Sequence, residues 1–125
     1  MKEVITTKNA PASIGPFSQA IRATGLVFVS GQVAMDPSSG DLIDGDAGIQ
    51  TERVLINLAS ILAAAGSSLD RVVRCSVFLT DLADFARMNE VYARHFTSAP
   101  PARTTVEVSR LPLNARVEID AIALA

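Results

Sequence analysis

The chain has 125 residues, 49% of them hydrophobic, and a net charge of −2 from 11 basic and 13 acidic residues, which predicts one domain spanning residues 1–125. The acidic balance and the absence of a basic stripe argue against a nucleic-acid partner on electrostatic grounds. One cysteine and one histidine exclude an intrachain disulfide and a Cys/His zinc cluster, and no metal site is predicted. The apolar runs are too short to span a bilayer, so a soluble, cytoplasmic protein without a membrane partner is expected.

The first half of the chain predicts three strands and one helix. Residues 4–7 are β-prone, and residues 17–24 and 26–30 flank Gly25 as a hairpin. Residues 47–65 are the clearest helix, which Asp46 can cap and Gly66 can end. Apolar residues at helical spacing form one stripe along it: Leu55, Leu58, Ile61, Leu62 and Ala65.

The second half predicts a strand at residues 72–80, a helix at 85–96 and strands at 104–109 and 116–124, the last two joined tightly through residues 111–114 as a hairpin. The resulting order, β-β-β-α-β-α-β-β, indicates an α+β subunit with a mixed sheet and two helices on one face. The last strand carries apolar residues towards both faces near its end. Together with the high apolar content, this favours an oligomer.

Arg103 is the strongest candidate for a functional residue. It follows a prolyl pair and precedes an alternating run, so a loop is predicted to deliver it to a sheet. A guanidinium fixed there can bind a carboxylate through two parallel hydrogen bonds. The last strand carries Glu118 and Asp120, and a nearby carboxylate base would suit a small amino- or imino-acid substrate. A surface arginine with two solvated acids is the alternative.

The other candidates have simple structural interpretations. Cys75 lies within an alternating strand, which predicts a core residue. His95 lies near a helix end, where a cation complements the helix dipole. Asn89 is a polar residue beside apolar helix positions, and is either a site residue or an exposed one. The backbone amides of Ser30 and Gly31, after a strand, could line a pocket or form an ordinary turn. No phosphate-binding loop or nucleophile elbow is present.

Several short motifs, in this order along the whole chain, resemble the RidA (YjgF) group of reactive-intermediate deaminases. They are Gly15-Pro16-Phe17-Ser18-Gln19-Ala20-Ile21, Ser30-Gly31-Gln32, Asn89 with Tyr92 and Phe96, Pro101-Ala102-Arg103, Leu111-Pro112 and Val117-Glu118-Ile119-Asp120-Ala121-Ile122-Ala123.

The resemblance implies a chorismate-mutase-like fold and a homotrimer with clefts between subunits. It implies a 2-iminobutanoate/2-iminopropanoate deaminase, which hydrolyses enamine and imine acids such as 2-aminoacrylate to 2-keto acids and ammonia. Pyridoxal-phosphate enzymes, notably serine/threonine dehydratases, release such intermediates, which can damage other enzymes of that kind. The deaminase itself is expected to need no cofactor.

The resemblance also assigns roles residue by residue. Arg103 matches the arginine that holds the substrate carboxylate, and Glu118 matches the acid that orients the attacking water. Ser30, with Gly31 beside it, and Asn89 match residues of the cleft. Phe17 stands where many members have tyrosine, so its ring can wall the pocket without donating a hydrogen bond.

Two other classes of function stay open at this point. Some members of the group have been assigned ribonuclease or translation-inhibiting activity, which the net acidic charge disfavours. A protein of this kind could also bind a small carboxylic acid in its clefts without turning it over.

Overall fold

The computed structural model describes residues 1–125, which form one six-stranded mixed sheet and two α-helices. The elements are β1 (Glu3–Ile5), β2 (Ala20–Ala23), β3 (Leu26–Gln32), α1 (Ala47–Ala64), β4 (Val72–Leu79), α2 (Phe85–His95), β5 (Ala102–Glu107) and β6 (Val117–Leu124). The α+β class and the order β-β-β-α-β-α-β-β are therefore confirmed.

The C-terminal hairpin predicted from sequence is wrong. The sheet order is β1-β2-β3-β6-β4-β5, so β6 lies between β3 and β4, and β5 pairs only with β4. The β4–β5 pair is parallel and every other pair is antiparallel. Burial explains the central position of β6. Its alternate residues are apolar and fully buried, and a strand with neighbours on both sides can bury them better than an edge strand can. These residues are Val117, Ile119, Ala121 and Ala123.

The first hairpin is confirmed, with a tight turn at Thr24 and Gly25, whose φ angles are 54° and 79°. Its first strand begins at Ala20 and not at residue 17, because side-chain hydrogen bonds hold the preceding residues as a loop. At the other edge of the sheet, β5 begins at Ala102. Arg103 therefore lies inside a strand and not in the loop before it.

Helix α1 begins at Ala47 as predicted and ends at Ala64, one residue before the predicted end, with both predicted caps in place. The Asp46 carboxylate accepts a hydrogen bond from the Ile49 amide at 2.9 Å, which caps the N-terminus. Gly66 has a φ of 77°, and the Ser67 amide donates to the Leu62 carbonyl at 2.8 Å, as in a Schellman cap. The predicted apolar stripe is buried against the sheet.

The two helices cover one face of the sheet and leave the other face open. On the open side, apolar side chains from neighbouring strands lie in register: Phe28 opposite Ile122, and Phe78 between Glu118 and Val106. Phe28 and Val106 remain 40% and 39% exposed. The open face is therefore an apolar surface on which a partner can pack.

Candidate functional site

Glu118 lies on the open face of β6, against the backbone of β3. A Cβ atom added to Gly31 would stand 2.9 Å from the Glu118 carboxyl carbon, so only glycine leaves room for this side chain. The carboxylate borders a cavity of about 310 Å³ that Phe17, Ser30, Gly31 and Leu113 also line. The structure thus brings four of the predicted site residues together: Phe17, Ser30, Gly31 and Glu118.

The environment of Glu118 favours proton transfer. Partial burial, and secondarily the nearby charge of Asp120, raise the pKa of the Glu118 carboxyl above its ordinary value of 4.5. A carboxyl whose pKa moves towards neutrality can both accept a proton and return it. The second acid, Asp120, has a structural contact instead: its Oδ1 atom accepts a hydrogen bond from the Ser76 amide at 3.0 Å.

The loop that carries Phe17 is held by a buried amide that the sequence analysis did not single out. The Gln19 side chain accepts from the Thr7 amide at 2.7 Å and donates to the Pro11 carbonyl at 2.8 Å. The Ser30 hydroxyl donates to the Ser18 carbonyl at 2.6 Å. Phe17 is left 49% exposed at the cavity mouth. A glutamine directly before a buried strand was the available signal for Gln19.

Arg103 lies on the edge strand β5, beneath α2. Its guanidinium carbon lies 4.7 Å from the centre of the Tyr92 ring and 5.6 Å from the centre of the Phe85 ring. Its Nη1 atom lies 3.9 Å from the Met88 sulfur, a weak acceptor. No carboxylate of the chain pairs with it. The charge is therefore available to an external anion.

Asn89 stands beside Arg103 in a depression of about 320 Å³, with Pro100 and Pro101 on its far side. The Asn89 side chain makes no hydrogen bond within the chain, so a guanidinium and a carboxamide both face this space with free donors. Such a pair suits a small carboxylate. The structure thus brings Arg103 and Asn89 together, as a second group of predicted site residues.

These two groups lie on opposite faces of the sheet. Arg103 is in register with Cys75, which pairs with Ala121, and both of these face the helices. Glu118 is three positions from Ala121 along β6, and side chains alternate along a strand, so the Glu118 side chain points to the open face. A single chain therefore does not bring the arginine and the acid together, contrary to the expectation from the two strands alone.

The remaining candidates are structural. Cys75 is fully buried, as predicted, and burial raises the pKa of its thiol. His95 ends α2, and its Nε2 atom lies 2.9 Å from Glu52 Oε1, so a carboxylate contacts it in addition to the helix terminus. No three His, Cys, Asp or Glu side chains are arranged to hold a metal ion. Neither helix has the length and hydropathy that a membrane crossing requires.

Comparison with known proteins identifies the family. The model of the endoribonuclease L-PSP family matches residues 7–125. Protein DfrA of Myxococcus xanthus is 52% identical over 99% of this chain and 96% of its own length. The 2-iminobutanoate/2-iminopropanoate deaminase of Mus musculus is 44% identical over 99% of this chain and 92% of its own length.

A solved structure shows that the fold is shared as well as the sequence. The crystal structure of E. coli TdcF with bound serine superposes with a TM-score of 0.94, at 40% identity, over 98% of each chain. The chain therefore belongs to the endoribonuclease L-PSP family, which confirms its resemblance to the RidA (YjgF) group.

Proposed function

We propose that this protein is a hydrolytic deaminase of reactive 2-enamine and 2-imine acids, such as 2-aminoacrylate, which it converts to 2-keto acids and ammonia. It acts as a homotrimer, and Arg103 of one subunit meets Glu118 of the partner subunit in each cleft. Such a protein protects pyridoxal-phosphate enzymes from these intermediates and needs no cofactor of its own. The names of the mouse relative and of other relatives support the reaction class.

One observation carries the proposal: the chain holds two complementary and incomplete groups on opposite faces of its sheet. Arg103 with Asn89 offers free donors for a carboxylate and lacks an acid. Glu118 offers a base beside a cavity and lacks a cation. Packing the open apolar face of one subunit against the edge of the next covers exposed Phe28 and Val106, and joins the groups.

Arg103 and Asn89 bind the substrate in this proposal. The planar guanidinium takes both oxygens of the α-carboxylate, which fixes the adjacent C=N carbon relative to the protein. Positioning of this kind lowers a barrier by up to about 7–11 kcal/mol in favourable cases. That TdcF is seen with bound serine supports a site sized for a small amino acid.

Glu118 and one water molecule carry out the hydrolysis. The enamine first takes a proton from solvent at its terminal carbon and becomes the protonated imine. Water then attacks the C=N carbon; as the C–O bond forms, Glu118 takes a proton from the water and the π-electron pair moves to nitrogen, which gives a neutral amino alcohol. Glu118 returns its proton to this nitrogen, the C–N bond breaks and ammonia leaves. The hydroxyl proton is then lost to solvent, which replaces the proton taken up first and gives the keto acid. General-base assistance of this kind typically contributes about 10²–10⁴-fold.

Endoribonuclease activity is the competing candidate, because the matched family model carries that description. A net charge of −2 gives little electrostatic attraction to RNA. Binding of single-stranded RNA that weakens steeply with salt would favour this alternative. Tight binding of a keto acid without any turnover of 2-aminoacrylate would favour a non-catalytic carboxylate-binding protein.

The first experiment traps 2-aminoacrylate, made by a serine dehydratase, with semicarbazide. The wild-type protein should reduce the trapped amount, and Arg103→Ala should abolish this effect while the protein stays folded. Arg103→Lys should recover little, since a point charge does not reproduce the planar fork. Glu118→Gln should still bind a keto acid but hydrolyse slowly. Arg94→Ala, which removes an exposed arginine of α2, is the matched control. Near-normal activity of folded Arg103→Ala would contradict the proposal.

The second experiment tests whether the site is shared between subunits. The Arg103→Ala protein, expected to be inactive, and the Glu118→Gln protein, expected to be slow, are mixed, partly denatured and reassembled. If trimers form at random, about a quarter of the clefts receive both an intact arginine and an intact acid, and activity returns to that extent. Light scattering should give three times the subunit mass. A monomer, or the absence of any complementation, would contradict the shared site.

A further inference from the structure

We infer that Tyr92 is a positioning residue for the proposed deaminase reaction: its ring supports the Arg103 guanidinium through a cation–π contact and leaves the N–H donors to the substrate carboxylate. The inference rests on the proposed function for its consequence in catalysis. The geometry on which it stands belongs to the chain alone.

The Arg103 side chain is held by aromatic faces and not by acids. Its guanidinium carbon lies 4.7 Å from the Tyr92 ring centre, with the Phe85 ring at 5.6 Å. The one hydrogen bond that its guanidinium makes in the chain is a long one to the Met88 sulfur, at 3.9 Å. These contacts leave its strong donors without partners.

The difference between an acid and an aromatic ring decides what the arginine can bind. A carboxylate partner would occupy the in-plane N–H donors, which are the groups that recognise a substrate carboxylate. An aromatic ring instead attracts the cation through the face of the guanidinium. The Tyr92 ring therefore restricts the motion of Arg103 without competing for its donors.

Tyr92 is well placed to act as a rigid support. It is 6% exposed, and its ring packs against Phe96 with the ring centres 4.5 Å apart. Phe85, by contrast, is 40% exposed at the start of α2. The Tyr92 hydroxyl is buried, makes no hydrogen bond of normal geometry, and lies near both the Cys75 thiol and Arg103. The contribution of the ring therefore has to be separated from that of the hydroxyl by substitution.

This assignment separates two substitutions at the same position. Tyr92→Phe keeps the ring and should leave the affinity for 2-oxobutanoate, a non-reactive keto acid, within about twofold of wild type. Tyr92→Leu keeps apolar volume but removes the ring, and should weaken that affinity about tenfold, which corresponds to about 1.4 kcal/mol. Rescue by phenylalanine distinguishes support through the ring from a role of the hydroxyl.

The experiment is a calorimetric titration of 2-oxobutanoate into wild type, Tyr92→Phe, Tyr92→Leu, Arg103→Ala and the double variant Tyr92→Leu/Arg103→Ala. If Tyr92 acts through Arg103, the double variant should bind no more weakly than Arg103→Ala alone. Ile61→Ala, which removes a buried side chain of α1 from the same core, is the control for lost stability. Light scattering and circular dichroism establish that each variant is folded.

Three results would overturn the inference: equal affinity of folded Tyr92→Leu and wild type, loss of affinity in Tyr92→Phe equal to that in Tyr92→Leu, or the same loss in Ile61→Ala. Failure of the proposed function gives a different pattern. The wild type would then bind 2-oxobutanoate without reducing the amount of trapped 2-aminoacrylate. The titrations would still show whether the affinity for 2-oxobutanoate depends on the Tyr92 ring.

Discussion

Gly31→Ala tests the close approach between β3 and Glu118. The added Cβ atom would stand 2.9 Å from the Glu118 carboxyl carbon and 3.2 Å from its Cγ atom. Carbon atoms in good contact lie about 3.5–4.0 Å apart, so one of the two groups must move. Gly31 belongs to β3, an inner strand whose register with β6 is irregular between Val29 and Gln32, whereas the Glu118 side chain can rotate about several single bonds. The carboxylate is therefore the group that moves.

The size of the effect follows from that displacement. Relieving the contact shifts the carboxylate by roughly an ångström, and a misplacement of this size can reduce catalysis by about 10²-fold. The Glu118 side chain is only partly buried and can turn towards open space. The free energy of unfolding should therefore fall by about 1 kcal/mol, at the low end of the range for substitutions that overpack a core. Binding of a keto acid through Arg103 should be retained.

The assay combines semicarbazide trapping, calorimetric titration of 2-oxobutanoate and thermal unfolding. Gly15→Ala is the control, because its Cβ atom would meet only the Phe17 ring, at 3.4 Å, and should change both rate and stability little. A near-normal rate for folded Gly31→Ala would refute the argument that hydrolysis requires the Glu118 carboxylate in its position next to Gly31. A loss of keto-acid affinity equal to the loss of rate would show that the cavity, and not the base, was disturbed.

Three further predictions concern other parts of the molecule. Phe17→Tyr should change the rate or substrate preference by less than about tenfold and leave the melting temperature nearly unchanged, because the half-exposed ring lets a hydroxyl stay hydrated. Asp46→Ala should lower the melting temperature at pH 7 and Asp46→Asn should lower it less, since asparagine also caps a helix but loses the charge that faces Arg87. The Ile49 hydrogen bond lowers the pKa of Asp46 below 3.8, so this carboxylate stabilises the fold above that pH, and the difference between wild type and Asp46→Ala should shrink as the pH falls through and below it. Cys75 should react with a thiol reagent only after unfolding, because it is fully buried and its thiol pKa is raised by that burial.

Helices and tight turns were predicted correctly because the residues that determine them lie close together in the sequence. Helix α1 was predicted from its stripe and caps, and the Asp46 and Gly66 signals act within a few residues of the helix ends. The hairpin at Gly25 was predicted from one turn. The pairing of β6 with β3 and β4 was missed, because strand order depends on which residues many positions apart share a core. Proximity in the chain wrongly favoured a hairpin with β5.

The same distinction applies to the site. Sequence reasoning identified Arg103 and Glu118 by their chemical type, and the alternation of side chains along β6 was visible before the structure. Their separation was not visible, because it depends on β5 lying in parallel register with β4. The role of Tyr92 was missed for a related reason. An aromatic residue at helical spacing is an ordinary core residue, and nothing local indicates that a guanidinium lies on it.

The separation of Arg103 from Glu118 has a physical advantage in the proposed trimer. If the two side chains met within one chain, they would form an ion pair that neutralises the arginine, lowers the pKa of the acid and occupies the donors meant for substrate. On opposite faces of the sheet, aromatic rings support Arg103 without pairing its charge, and Glu118 lies close to Gly31 with no cation beside it. In the proposed trimer, assembly brings a cation and a base to the same cleft only after each chain has folded, so neither group is neutralised by the other within its own chain.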